Sequence, residues 1–125
     1  MEVFMFRIEL AASNAAKIEE LIKSQDQEMS VIQVFKERLI DFLQLPVSDR
    51  VKFQLKIVQY KEYQQWLSPT KAEERVVFSI ALPGIMRQPL TDAISQSGQT
   101  YSGFLRLVGA WIVDTIDNKE EDNEN

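Results

Sequence analysis

The feature that most constrains this chain is a pattern of apolar residues that occurs twice. Phe4, Phe6, Ile8 and Leu10 alternate with Met5, Arg7 and Glu9, the period of a strand with one buried face. Val76, Phe78, Ile80 and Leu82 alternate in the same way with Val77, Ser79 and Ala81. After the first strand, Ser13 or Asn14 can cap a helix through Lys17, Ile18, Leu21 and Ile22. The polar run Ser24 to Glu28 breaks it, and Val31, Phe35, Leu39 and Phe42 mark a longer helix ending near Leu45-Pro46. After the second strand come Pro83-Gly84, a short helix with Leu90, Ala93 and Ile94, and the turn Ser97-Gly98. Thr100 or Ser102 can then cap a longer helix bearing Phe104, Leu107, Val108, Trp111 and Ile112. A single offset of 72 residues carries Phe6 onto Phe78, Ile8 onto Ile80, Leu10 onto Leu82, Ile22 onto Ile94, Ser30 onto Ser102 and Phe35 onto Leu107.

The duplication has a physical rationale. One strand and two short helices cannot bury a sufficient core in about 40 residues, and an isolated strand pair is marginal. Two copies that pair their strands and pool their helices bury Phe6, Ile8, Phe78 and Ile80 together. The expected fold is therefore α+β and mostly helical. Its parts are repeat 1 over residues 1–45, a connector over 46–74, repeat 2 over 75–117 and a disordered acidic tail over 118–125. Pro89 fits a helix that starts near Met86 or Arg87, where its missing N–H is harmless in the first turn.

The connector reads two ways. Val51, Phe53, Leu55 and Ile57 alternate as in a strand, while Val51, Leu55 and Val58 fit a helix; helix is preferred from about Asp49 to Leu67. Tyr60, Tyr63 and Trp66 recur at helical spacing, and Ser68-Pro69 signals a short helix over 70–74. Aromatics among Lys and Gln can stack on nucleic acid. Packing of this connector onto the helical core is the simpler reading.

Composition narrows the chemistry. The chain has no cysteine and no histidine, which excludes disulfides, thiolate sites, imidazole acid–base work and serine triads. No paired-carboxylate or phosphate-loop motif stands out, so the expectation is a non-enzyme without cofactor or metal. There is no apolar run of about 18 residues and no basic leader, which points to a cytoplasmic protein away from membranes. The net charge of −5 is uneven. Residues 1–113 balance at 13 Lys+Arg against 13 Asp+Glu, and the excess lies in Asp114, Asp117, Glu120, Glu121, Asp122 and Glu124 against Lys119. From Arg50 to Lys71 the balance is reversed, with Arg50, Lys52, Lys56, Lys61 and Lys71 against Glu62 alone.

The span Arg75 to Ile116 resembles a ribbon-helix-helix (Arc/MetJ-like) domain. The carrying residues are Phe78-Ser79-Ile80-Ala81-Leu82-Pro83, the turn Gly98-Gln99-Thr100-Tyr101-Ser102, and Phe104-Leu105-Arg106. Met5 to Leu43 is similar but looser, with Asp26 at the turn glycine. The resemblance implies a single-chain pseudo-dimer with a TraY-like tandem layout: an intramolecular antiparallel ribbon over a four-helix core. It implies double-stranded DNA as partner, with the ribbon in the major groove and phosphates at the longer helices' N-termini. On that reading Arg7, Glu9 and Ser79 face bases, and Ser30, Thr100 and Ser102 lie at the phosphate-binding helix starts. A small transcriptional regulator, or a plasmid or phage accessory factor, would result, as a pseudo-dimeric monomer able to form higher oligomers.

The outward residues, however, are Met5, Arg7, Glu9, Val77, Ser79 and Ala81. Groove readers need donors and acceptors there; Arg7 and Ser79 suit, and Glu9 can accept only from cytosine. Glu28 near the first phosphate position opposes an anion. The alternative is a protein-interaction module on the same scaffold, with Met5, Val77 and Ala81 as a docking patch. The tail is either inert or a competitor for a basic surface. Deleting residues 118–125 removes four acids and one lysine, taking net charge from −5 to −2. Competition predicts tighter DNA binding at low salt in the truncated chain, and an unmoved titration curve makes the tail plain solubilising surface.

Overall fold

The computed structural model describes residues 2–25, 28–59, 64–66 and 73–123, with side chains described as far as Ile116. The protein is α+β and mostly helical, with one two-stranded sheet among the described residues. β1 (Val3–Ala11) and β2 (Arg75–Pro83) pair antiparallel along their whole length, Val3 opposite Pro83 and Ala11 opposite Arg75. Arg7 therefore lies opposite Ser79. The sequence offset of 72 equates the same two residues, so this pair alone is both partnered and equivalent, and it marks the ribbon's centre. Burial follows the same equivalence. Leu10 and Leu82 are fully buried, Ile8 and Ile80 are fully buried or within 1% of it, and Phe6 and Phe78 are both half-buried.

Each strand runs into a pair of helices. After β1 come α1 (Ala12–Ser24) and α2 (Val31–Gln44). After β2, a 3-10 turn (Gly84–Met86) leads to α4 (Arg87–Ser97) and α5 (Tyr101–Asn123), while α3 (Val47–Gln59) lies between the halves. Ser30 caps α2, its Oγ accepting from Gln33 N–H at 3.2 Å. Pro89 is in the first turn of α4, and Gly98 ends that helix at φ 71°, a left-handed conformation glycine adopts without strain.

α1 departs from expectation. Neither Ser13 nor Asn14 caps it; the helix starts at Ala12, directly after the strand. Its first N–H groups are satisfied from across the chain, Ala12 N–H donating to Glu74 O at 2.9 Å and Ser13 N–H to Glu73 Oε1 at 3.0 Å. Pairing of Ala11 with Arg75 brings the residues before β2 to this helix start, so a tertiary acceptor replaces the local one. The hydrogen bonds from Ser13 hold the Glu73 carboxyl below its ordinary pKa.

The buried faces of α1, α2, α4 and α5 meet the inner ribbon face in one hydrophobic core. Phe42 of α2 is fully buried there, with ring centroids 5.2 Å from Trp111, 5.8 Å from Phe104 and 6.5 Å from Phe53. The connector is helical where α3 runs, but rolled relative to the expected face. Phe53 and Ile57 point inward, whereas Val51, Leu55 and Val58 are exposed. Polar anchors fix that roll. Arg50 donates to Leu43 O at 3.1 Å and Gln96 Oε1 at 2.7 Å, and Gln54 donates to Ser97 O at 2.8 Å. Lys56 Nζ meets the buried Asp114 Oδ1 at 2.7 Å. Trp66 is buried so close to α5 that a Cβ on Gly109 would sit 2.7 Å from its Cζ3.

Tyr60, Tyr63, Lys61 and Lys71 lie outside the described residues. So does most of the helix expected over 70–74, of which residues 73 and 74 are not helical. α5 continues to Asn123, into the segment expected to be disordered. Extending an existing helix needs no new nucleus, and Glu and Lys are good helix formers. Because Phe42 joins α2, α3 and α5, Phe42→Ala should cost about 3–5 kcal/mol, within one cooperative transition. Phe78→Ala, at a half-buried site, should cost less. Denaturant titration followed by fluorescence and circular dichroism measures both, and two separate transitions would contradict a shared core.

Candidate interaction face on the ribbon

With Phe6, Ile8, Phe78 and Ile80 turned toward the helices, strand alternation turns Val3, Met5, Arg7 and Glu9 outward on β1. On β2 it turns out Val77, Ser79, Ala81 and Pro83. The face is divided along its length. At one end Val3 and Met5 are 62% and 63% exposed, opposite the half-buried Pro83 and Ala81. Ile85, 84% exposed, follows directly in the 3-10 turn, which is held to the chain start by Gly84 N–H donating to Glu2 O at 2.8 Å. At the other end Glu9 accepts an ion pair from Arg75 Nε at 3.6 Å, beside the exposed Val77.

Between these ends stand Arg7 and Ser79, both exposed. The structure thus brings Arg7, Glu9 and Ser79 onto one face, but only Arg7 offers a charge without an ion-pair partner among the described residues. The face is neutral apart from that guanidinium and mainly apolar. It can bury aliphatic surface and direct one cation. It has few of the donors and acceptors that reading base edges requires.

The other expected positions lie at helix starts. Phe35 of α2 meets Phe78 edge-on at 5.6 Å, and Tyr101, the first residue of α5, meets Phe6 edge-on at 6.1 Å. These contacts set the early turns of both long helices under opposite strands. Ser30 is exposed and engaged as a cap, with Glu28 exposed close by. In the second half Thr100, not Ser102, is the capping group, its Oγ1 accepting from Gly103 N–H at 3.0 Å. α5 begins at Tyr101, so its cap stands two residues ahead of the position equivalent to Ser30.

Two features of the face, and one on the opposite side of the ribbon, were not found by sequence reasoning. Arg75 neutralises Glu9, Ile85 extends the apolar end, and the Arg87 guanidinium lies 4.8 Å from the Phe4 ring centroid. The first depends on the strand register; the second had a signal, an aliphatic residue between Gly84 and Met86. Partial burial pushes the Tyr101 phenol up to about 12.

The cap assignment makes a direct prediction. Ser30→Ala and Thr100→Ala should each lower stability by about 1 kcal/mol, whereas Ser102→Ala should leave it nearly unchanged. Thermal melts of the three variants check this, and a larger loss at Ser102 than at Thr100 would reverse the assignment.

Among the described residues, no helix is long and apolar enough to cross a membrane. No protein-family model matches this chain, and neither does any curated protein or solved structure.

Proposed function

We propose that this chain is a non-catalytic protein-interaction module, a single-chain pseudo-dimer on a ribbon-helix-helix scaffold whose outer ribbon face docks a protein partner. The observation that carries the reading is the chemistry of that face: Val3, Met5 and Val77 exposed, Glu9 neutralised by Arg75, and Arg7 as the remaining ion. Strand–helix–helix order in both halves, and burial matched along the two strands at the 72-residue offset, support the scaffold. A complementary partner presents aliphatic or aromatic side chains to Val3, Met5 and Ile85, and a carboxylate to Arg7.

A second reading, a DNA-binding regulator that inserts the ribbon into the major groove, is favoured by one observation. Arg7 and Ser79 occupy the centre of the ribbon, the place a groove reader would use. In that case Arg7→Ala should weaken binding by about 1–3 kcal/mol and relax preference at one base pair.

The two readings separate in one set of titrations. In mobility shifts with duplex DNA at low and raised salt, the docking reading predicts no complex whose affinity falls steeply with salt. In affinity capture, it predicts a protein partner lost in Met5→Asp and kept in Lys52→Ala, a change on a different surface. A salt-dependent DNA complex lost in Arg7→Ala, with capture unaffected by Met5→Asp, would replace the docking reading with the regulator.

A further inference from the structure

We infer that copies of this chain associate head to tail, the outer face of α3 on one copy seating in a cleft between α1 and α2 of the next. α3 has two apolar faces. Phe53 and Ile57 are spent on the core. Val47, Val51, Leu55 and Val58 form a second stripe, 45%, 44%, 60% and 62% exposed, at a spacing that keeps them aligned over three turns. Such a contiguous stripe is the kind of exposed apolar surface that marks an interface. By helical spacing, Arg50 and Lys52 flank it on either side.

The same chain carries an apolar cleft of opposite charge. Clefts of about 200 and 450 Å³ share Ile22 and Met29 and run on to Val34 and Ile116 in one direction and Ile32 in the other. Ile32 is 46% exposed. Its equivalent at the 72-residue offset is Phe104, 1% exposed, which lines a crevice with Val47 and Val51 of α3. In the second half a helix therefore shields this position, and in the first half no element among the described residues does so. The cleft is bordered by Glu19, Glu28, Glu37 and Asp41 against Lys23 and Arg38, a net of two negative charges. Lys56 being paired with Asp114, α3 presents Arg50 and Lys52 against Asp49, a net of one positive charge.

The charges also decide between arrangements. Two copies of α3 set against each other would bring two net-positive helices together, which like-charge repulsion opposes. α3 in the acidic cleft removes the conflict. The two surfaces are different parts of the molecule, so the contact is heterologous and repeats from copy to copy.

The test is sedimentation velocity over about a hundredfold range of protein concentration. Wild type should grow from monomer through dimer to larger species, and less so at raised salt. Leu55→Glu and Ile32→Glu, both at exposed positions, should each remain monomeric with an unchanged circular dichroism spectrum and melting temperature. Their equimolar mixture is the decisive sample. Each variant retains one intact surface, so the mixture should form a one-to-one dimer and stop there. Wild type that stays monomeric, either variant assembling alone, or a mixture that stays monomeric or grows past the dimer would overturn the inference. Met5→Asp should assemble as wild type does. Assembly lost in that variant would move the contact to the ribbon and equally overturn it, whereas loss of a captured partner alone would leave it standing.

Discussion

Pairing of β1 with β2 is the interaction on which the rest of this structure depends. Each strand alone has one apolar face and nine residues of unpaired backbone, and each is followed by two helices that cannot close a core unaided. Antiparallel pairing centred on Arg7 and Ser79 brings Ile8, Leu10, Ile80 and Leu82 onto one side, where all four long-buried helix faces converge. A slip of one residue would turn those aliphatics to solvent. The register is also what carries Glu73 and Glu74 to the start of α1 and Arg75 to Glu9.

The connector breaks the likeness between the halves. At the offset of 72, Phe42 of α2 corresponds to Asp114 of α5. Phe42 fills the core, whereas Asp114 is buried beside Lys56 of the connector. A buried ion pair adds little net stability, because desolvation opposes the attraction, but removing one partner strands the other charge. Its evident effect is orientation. Together with Arg50 and Gln54, Lys56 fixes how α3 rolls, and so which of its two apolar faces meets solvent.

These contacts explain what the residues alone did and did not disclose. The strands, the paired helices and the glycine stop at Gly98 follow from periodicity and local backbone preference, so they were legible. The roll of α3 was not, because Val51, Leu55 and Val58 form as good an apolar face as Phe53 and Ile57, and only Phe42 and the polar anchors choose between them. The cap of α1 was misplaced for a related reason: Ser13 and Asn14 are competent caps, but Glu73, sixty positions away, supplies the acceptor. On the ribbon, alternation placed Arg7 and Ser79 correctly on the outer face. The neutralisation of Glu9 needed the register, which no single strand contains.

Carrying two unlike strands on one chain has a further consequence for the outer face of the ribbon. A homodimer must present the same residue twice, so its outer face is symmetric and suits a two-fold target. Here the equivalent outward pairs differ: Met5 with Val77, Arg7 with Ser79, Glu9 with Ala81. The differences add up in one direction. Val3, Met5, Ala81 and Ile85 gather the aliphatic surface at one end, and Glu9 and Arg75 place the ion pair at the other. A face polarised along its length fits a partner in one orientation only, because reversal would set apolar side chains against the ion pair and leave both poorly solvated. Two identical strands could not have produced that polarity, which on the docking reading would permit a directional contact.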